Sequence, residues 1–390
     1  MNSAPGPDKI PPSFLKNTKH VVSSYLSKLM NDSFQTSEIP SQLIESIIAP
    51  IFKGGDRTTA KNYRPVALTS HITKIMERII KDVIVQHLED NCVINENQHG
   101  FQTGRSTISE LLKHYDNIID AMDSGGDLDV IMLDFSKAFD KVHYSLLLNK
   151  LKDVGISGNL GVWIGKFLLD RKQQVKVNGS LSELISVLSG VPQGSILGPL
   201  LFIIFINDIY DRSKHSKISS YADDTKMSKK VRSEADKQLL QQDLDNIYDW
   251  TNENMMKFNS DKLEYISFTS SVPDSDYVSP YCTSEGSLIK PVNSTKDLGI
   301  VFDRCLTFET HIFVKVAKAK KLCGYIFRTF ITRNPEVLMN AYKSLVIPVL
   351  EYGCIIWNPS KLYLIRRLEQ VQRNFTSRLD MDCSCYLTRL

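Results

Sequence analysis

Ser220-Tyr221-Ala222-Asp223-Asp224-Thr225 is the stretch on which the reading turns. Two adjacent aspartates follow a short half-apolar run, and Lys226, Lys229, Lys230 and Arg232 follow as a small basic patch. A β-strand that turns sharply at Asp223 and Asp224 projects one or both carboxylates into a cleft, where a divalent cation neutralises them. A solvated turn is the competing reading, because aspartate forms turns through its own side chain. Residues elsewhere in the chain decide between the two.

The first of them is Asp134. Val130-Ile131-Met132-Leu133 is a continuous apolar run, as expected of a buried central strand, and it ends in that acid. A helical pattern through Leu146, Leu147, Leu148 and Leu151 follows. A carboxylate at the end of a buried strand is costly unless it is paired or bound to a metal, which separates Asp134 from a surface aspartate. Asp140, at a helix start, reads as a cap. Three carboxylates, Asp134, Asp223 and Asp224, are what a two-metal nucleotidyl transfer requires. Acids from two strands converge only if those strands are neighbours.

Other stretches supply cations and close-approach loops. Ile44 to Phe52 is rich in β-formers and ends in Lys53-Gly54-Gly55-Asp56, after which Asn62-Tyr63-Arg64-Pro65-Val66-Ala67-Leu68 starts a second strand. This predicts a hairpin whose Lys53 and Arg64 either clamp a triphosphate or stand in solvent. Thr69 to Leu88 carries apolar residues three and four apart and predicts an amphipathic helix, and Phe14 to Phe34 predicts one helix or two. Gln98 to Thr107 is a glycine-punctuated loop leading into a helix that Ser106 or Thr107 caps. Its Arg105 reads as a surface cation or as a contact to a template-strand phosphate. Asn178-Gly179 predicts a hairpin turn between Val175-Lys176-Val177 and Leu184 to Val187. Ser189-Gly190-Val191-Pro192-Gln193-Gly194-Ser195 then allows a backbone to approach a ligand closely, ahead of a helix through Leu200 to Phe205. A strand is expected over Glu264 to Phe268 and a loop or subdomain seam over Thr269 to Glu285.

Composition bounds the rest. A chain of 390 residues, 42% hydrophobic and 23% charged, buries a core and is not wholly disordered. The formal net charge of +3 is too small to argue for a polyanionic partner, so that argument rests on clusters beyond Asp303, where helical patterns carry Lys315, Lys318, Lys321 and Arg328. Of seven cysteines only Cys383 and Cys385 lie close together, and none is assigned to a metal, which suits reduced thiols. The start lacks the blocks of a signal peptide, and the longest apolar run, Pro199 to Ile206, is too short to span a bilayer, so an intracellular protein without membrane attachment is expected.

With these pieces in order, the chain resembles the reverse transcriptases of non-LTR retrotransposons (LINE elements), most closely the jockey-like group. The resemblance runs from Ala4 to about Arg378. It is carried by Ile51-Phe52-Lys53-Gly54-Gly55-Asp56, Asn62-Tyr63-Arg64-Pro65, His99-Gly100-Phe101, Leu133-Asp134-Phe135-Ser136-Lys137-Ala138-Phe139-Asp140, Ser189 to Gly194, Tyr221-Ala222-Asp223-Asp224 and Lys296-Asp297-Leu298-Gly299-Ile300. It implies an α+β right-hand polymerase: an N-terminal extension and fingers over 1–125, a palm of antiparallel sheet and helices over 126–300, a helical thumb over 301–378, and a divergent tail at 379–390. By resemblance Asp134, Asp223 and Asp224 are catalytic. With the Phe135 carbonyl they hold two Mg²⁺ ions, for which Mn²⁺ substitutes. Lys53, Arg64, Phe139, Gln193 and Gly194 meet the incoming nucleotide, with the Phe139 ring under the sugar where it would collide with a ribose 2′-hydroxyl. Lys262 matches a lysine that protonates departing pyrophosphate, or is a surface lysine. Arg105, Lys296, Lys315, Lys318 and Lys321 fall to template and primer.

The implied partners are an RNA template, a DNA primer or target, and deoxynucleoside triphosphates, in cytoplasm and nucleus. An apurinic-type endonuclease is expected ahead of the polymerase in a full-length element, and only three residues precede Ala4 here. A catalytically inactive or domesticated nucleic-acid-binding remnant is the alternative. An RNA-dependent RNA polymerase is disfavoured by Phe139 and by Tyr-Ala-Asp-Asp in place of a Gly-Asp-Asp turn.

Overall fold

A computed structural model describes residues 4–270 and 279–379. The seam expected over Thr269 to Glu285 therefore lies partly, and Cys383, Cys385 and the tail from 380 wholly, outside the described residues. In chain order the strands are β1 (Glu45–Phe52), β2 (Tyr63–Thr69), β3 (Asp127–Asp134), β4 (Lys172–Val177), β5 (Ser180–Leu181) and β6 (Ile185–Ser186). Then follow β7 (Lys217–Tyr221), β8 (Asp224–Val231), β9 (Glu264–Phe268), β10 (Lys290–Pro291), β11 (Ser294–Asp297) and β12 (Ile300–Asp303).

The chain forms two compact units that interleave along the sequence. The first takes the residues up to Arg105, Leu133–Met227 and Gln241–Leu263; the second takes Ser106–Met132, Ser228–Leu240 and the chain from Glu264 on. One five-stranded sheet has the order β10-β9-β3-β8-β7. The central place of β3 explains its unbroken apolar run: Val130 and Ile131 are fully buried and Leu133 nearly so.

In the first unit, β1 and β2 pair antiparallel with Ile51 opposite Arg64, and β1 also pairs with β4, here in parallel. The turn between β4 and β5 uses Asn178 and Gly179 at φ 49 and 89, both in the left-handed region that such a two-residue hairpin needs. The strand therefore returns at once, at Ser180, and not at Leu184 as expected from the apolar residues. Ile185–Ser186 pairs only with the start of β4. The amphipathic helix spans His71–Asp90, starting where the Ser70 hydroxyl accepts from the Ile72 N–H. The N-terminal pattern forms two helices, Pro12–Asn17 and Lys19–Thr36, and the helix Leu197–Ile206 is buried at every residue but Pro199.

The second unit packs the helices Thr107–Asp123, Glu309–Thr329, Pro335–Leu345 and Leu362–Thr376 around one apolar core that includes Leu111, Ile118, Phe268, Phe302, Ile312 and Phe375. Ser106 starts the first of these with a capping box: its hydroxyl accepts from the Ser109 N–H while the Ser109 hydroxyl accepts from its own. β11 and β12 form an antiparallel hairpin whose connection, Leu298-Gly299, again has both φ angles positive.

Candidate active site

The Asp223 turn is clamped from one side. Ala222, at φ 60, and Asp223 make a two-residue connection between β7 and β8. The buried Gln98 side chain accepts through Oε1 from the backbone N–H of Ala222 at 2.9 Å and of Gly100 at 2.7 Å. Gly100 lies so close that a Cβ there would stand 2.3 Å from the Ala222 nitrogen, so only glycine fits. On the other side, the Ser220 and Thr225 hydroxyls share a buried hydrogen bond of 2.9 Å. The result is a turn held on both sides, with Asp223 half-buried and Asp224 exposed.

Burial pushes the Asp223 carboxyl above the usual carboxylate range, and the negative Asp134 pushes it further, against the opposing charges of Arg64 and Lys262. Asp134 itself ends β3. Its backbone carbonyl accepts from the Asn259 N–H at 2.7 Å, and the Ser136 N–H donates to the Lys257 carbonyl at 2.8 Å. Phe135, opposite Phe258, sits between these two bonds, so its own carbonyl faces away from that partner. Lys262 Nζ stands 3.1 and 3.2 Å from the two carboxylate oxygens of Asp134 and is its counter-ion.

The Gly190–Gly194 loop is held to Phe139 and Asp140 and, through Ala67, to β2. The Val191 N–H donates to the Phe139 carbonyl at 2.8 Å, and a Cβ on Gly190 would meet the Asp140 backbone at 2.7 Å. Gln193 Nε2 donates to Asp140 Oδ1 at 3.0 Å, while the Gln193 carbonyl accepts from the Ala67 N–H at 2.8 Å. Asp140 is thus not a helix cap; it lies in the short 3₁₀ turn Ala138–Asp140 and fixes Gln193. Gly194, at φ 119, has no room for a side chain, since a Cβ would lie 2.5 Å from the Ala67 carbonyl oxygen. The Phe139 ring stacks on Phe202, centroids 4.4 Å apart. Behind the loop, the fully buried Glu77 accepts from the backbone N–H groups of Ile196 and Leu197 at 2.6 and 2.9 Å, where the buried helix begins. On the hairpin, the Lys53 and Arg64 side chains are exposed, and the Lys53 N–H donates to the Asn62 carbonyl at 2.9 Å.

In the second unit Lys296, Lys315 and Lys318 gather. Burial lowers the Lys315 ammonium, and the charges of Lys318 and Lys296 lower it further. Lys321 is exposed on the same helix, and Arg105 is exposed at the end of the first unit's loop. Lys226 departs from the expected basic patch: it is buried, like Thr225, Met227 and Ser228, where both faces of β8 are covered.

Among the described residues no three His, Cys, Asp or Glu side chains converge as a metal cluster. Asp134 lies near enough to Asp223 for its charge to raise the Asp223 carboxyl. Two hard oxygen donors whose charges repel, one of them half-buried, are the donor set that Mg²⁺ or Mn²⁺ takes, so the residues present fit such an ion. Sequence reasoning missed Gln98 and Glu77. The only signal for Gln98 was its place one residue before His99-Gly100, and a mid-helix glutamate such as Glu77 gives none.

A sequence profile described as reverse transcriptase (RNA-dependent DNA polymerase) matches residues 51–302, more than half of the chain. The chain belongs to the reverse transcriptase family. Among its relatives are the probable RNA-directed DNA polymerases of transposons X-element and BS of Drosophila melanogaster, 29% and 27% identical over 99% of this chain. The RNA-directed DNA polymerase from mobile element jockey of the same organism is 27% identical over 97% of it. The expected group, reverse transcriptases of non-LTR retrotransposons of the jockey kind, is borne out. The reverse transcriptase chain spans 42% to 44% of the length of these three relatives. Among solved structures, apo telomerase from Candida tropicalis, truncated from its C-terminal domain, matches with a TM-score of 0.47 and 11% identity over 72% of this chain and 58% of that one, too low to bear on the fold. No helix of the described residues is long and apolar enough to cross a membrane.

Proposed function

We propose that this reverse transcriptase extends a DNA 3′-end on an RNA template by two-metal nucleotidyl transfer. The observation that carries the proposal is the coupling of Asp134, at the end of a buried strand, to Asp223, on a turn clamped by Gln98. Asp134 and Asp223, with the Phe135 carbonyl, would hold Mg²⁺, and Asp224 would join from its exposed position only after a change in the turn. Bound divalent ions supply charge for the attacking 3′-hydroxyl and the departing pyrophosphate. In the transfer the 3′-hydroxyl gives its proton to solvent water, its oxygen bonds to the α-phosphorus, the bond from that phosphorus to the β-phosphate's bridging oxygen breaks, and pyrophosphate leaves.

The chain's own residues then have distinct tasks. Lys53 and Arg64 meet the triphosphate as exposed cations on a two-stranded arm. Gln193, fixed by Asp140 and Ala67, presents a rigid surface to the new base pair. Phe139, braced by Phe202, stands under the sugar and excludes a 2′-hydroxyl. Lys262 leaves Asp134 as the site loads and is then free to give its proton to pyrophosphate. Lys296, Lys315, Lys318 and Lys321 meet the phosphate backbone of the duplex, and Arg105 a template phosphate. Primer extension on poly(rA)/oligo(dT) tests the reading, with Asp223→Asn beside the wild type. Mg²⁺-dependent incorporation by the wild type alone is expected; no incorporation by a folded wild type would leave a binding remnant.

A further inference from the structure

The first unit contains a cavity of about 590 Å³ of which the steps above use only Arg105. That volume falls within the range of pockets that enclose a small molecule. Its floor is apolar, formed by Leu88 of the His71–Asp90 helix and by Leu200 and Ile203 of the buried helix. Phe101 stands at the rim, 45% exposed, with φ 58, a left-handed conformation unfavourable for a bulky residue. Its ring, held by that left-handed backbone and turned partly to solvent, leaves an aromatic surface open at the mouth of the cavity. Arg78, Lys81 and Arg105 also line the cavity. Asp82 and Glu89 line it too and offset part of that charge, which suits one phosphodiester better than a triphosphate.

We propose that this cavity takes one unstacked nucleotide of a single-stranded nucleic acid, with its base against Phe101 and the apolar floor and its phosphate on Arg78, Lys81 and Arg105. The identity of the strand as a polymerase substrate rests on the function proposed above; the cavity's chemistry does not. Aromatic stacking beside a cationic rim is how proteins hold single strands without reading their sequence. The placement links the cavity to the chemistry. The wall from Phe101 to Arg105 continues directly from Gly100, whose backbone packs on Ala222, so the nucleotide is held by the same segment that fixes the Asp223 turn.

The test compares binding of oligo(U), about twelve nucleotides long, with that of an abasic ribose-phosphate strand of equal length, by fluorescence anisotropy in EDTA. Wild type is expected to prefer the base-bearing strand. Phe101→Ala and the cavity-filling Val85→Trp should each cut that preference about tenfold while affinity for the abasic strand stays within about twofold. Thermal melts establish that both variants fold, and Phe101→Ala removes only an exposed ring. An unchanged preference in both folded variants overturns the proposal. Displacement by millimolar UMP, without any difference between the two strands, overturns the strand reading in favour of a free nucleotide. Primer extension run in parallel separates the two claims. Normal extension with an unaltered preference in the variants sinks the cavity alone; absent extension in wild type with the preference lost only in the variants sinks the polymerase reading alone.

Discussion

Replacing Gly100 by alanine tests how the turn at Asp223 is held. An added Cβ would stand 2.3 Å from the Ala222 nitrogen, 2.9 Å from its Cα and 3.0 Å from Gln98 Oε1. The Ala222 backbone cannot swing aside and the Gln98 amide oxygen is held by two hydrogen bonds, so Gly100 and the turn must separate by about 1 Å to regain ordinary contact near 3.5 Å. Separation also loosens the two Gln98 hydrogen bonds, each worth roughly 1 kcal/mol. A misplacement of about 1 Å at a reacting group costs on the order of 100-fold in rate. Steady-state primer extension on poly(rA)/oligo(dT) should therefore show kcat down about 100-fold with KM for dTTP changed by less than about threefold. Circular dichroism and the melting temperature serve as the check on folding. A folded Gly100→Ala protein with kcat within about threefold of wild type would refute the idea that Gln98 and Gly100 position Asp223.

Phe139→Ala should admit ribonucleotides, seen as a fall in the dTTP-to-UTP ratio of kcat/KM of about tenfold or more; equal ratios in the two proteins would remove Phe139 from the sugar site. Glu77→Ala strands the Ile196 and Leu197 N–H groups in a buried setting, a loss of about 2–4 kcal/mol that should lower the melting temperature by roughly 2–5 °C. An unchanged melting temperature would deny Glu77 its place at the helix start. His311, fully buried with Nδ1 accepting from the Val301 N–H at 3.0 Å, is lowered from 6.5 to about 4 by burial and then by Lys315. Its unfolded form binds a proton first, so the stability it contributes is complete above pH 6.5 and is lost as pH falls toward 4. The loss is at most about 3 kcal/mol and nearer 1–2 once the protein relaxes. Urea titrations at pH 7.5 and 4.5 should show that loss in wild type beyond whatever His311→Phe shows, and identical losses would exclude the group.

Much of this was legible in the chain because it is local. The apolar run into Asp134, the Lys53–Arg64 hairpin, the Glu264–Phe268 strand and the helix after Ser70 follow from periodicity and turn residues within a few positions of one another. What failed depends on contacts across long separations. Nothing near Asp140 announces that Gln193 will bind its side chain, and nothing near Gln98 announces Ala222. Charge alone groups Lys226 with its neighbours, whereas Thr225 to Ser228 of β8 are buried on both faces of the strand. The return strand after Asn178-Gly179 was placed by its apolar residues, although the two-residue turn sets the register and starts it at Ser180.

The claim on which the rest depends is that Asp134 and Asp223 together form the cation site, with Asp224 outside it in this conformation. Mn²⁺ binding followed by electron paramagnetic resonance, on wild type, Asp134→Asn, Asp223→Asn and Asp224→Asn, tests it most directly. Affinity should fall about tenfold or more in each of the first two variants and stay within about threefold of wild type in Asp224→Asn. Wild-type affinity in both Asp134→Asn and Asp223→Asn would contradict it.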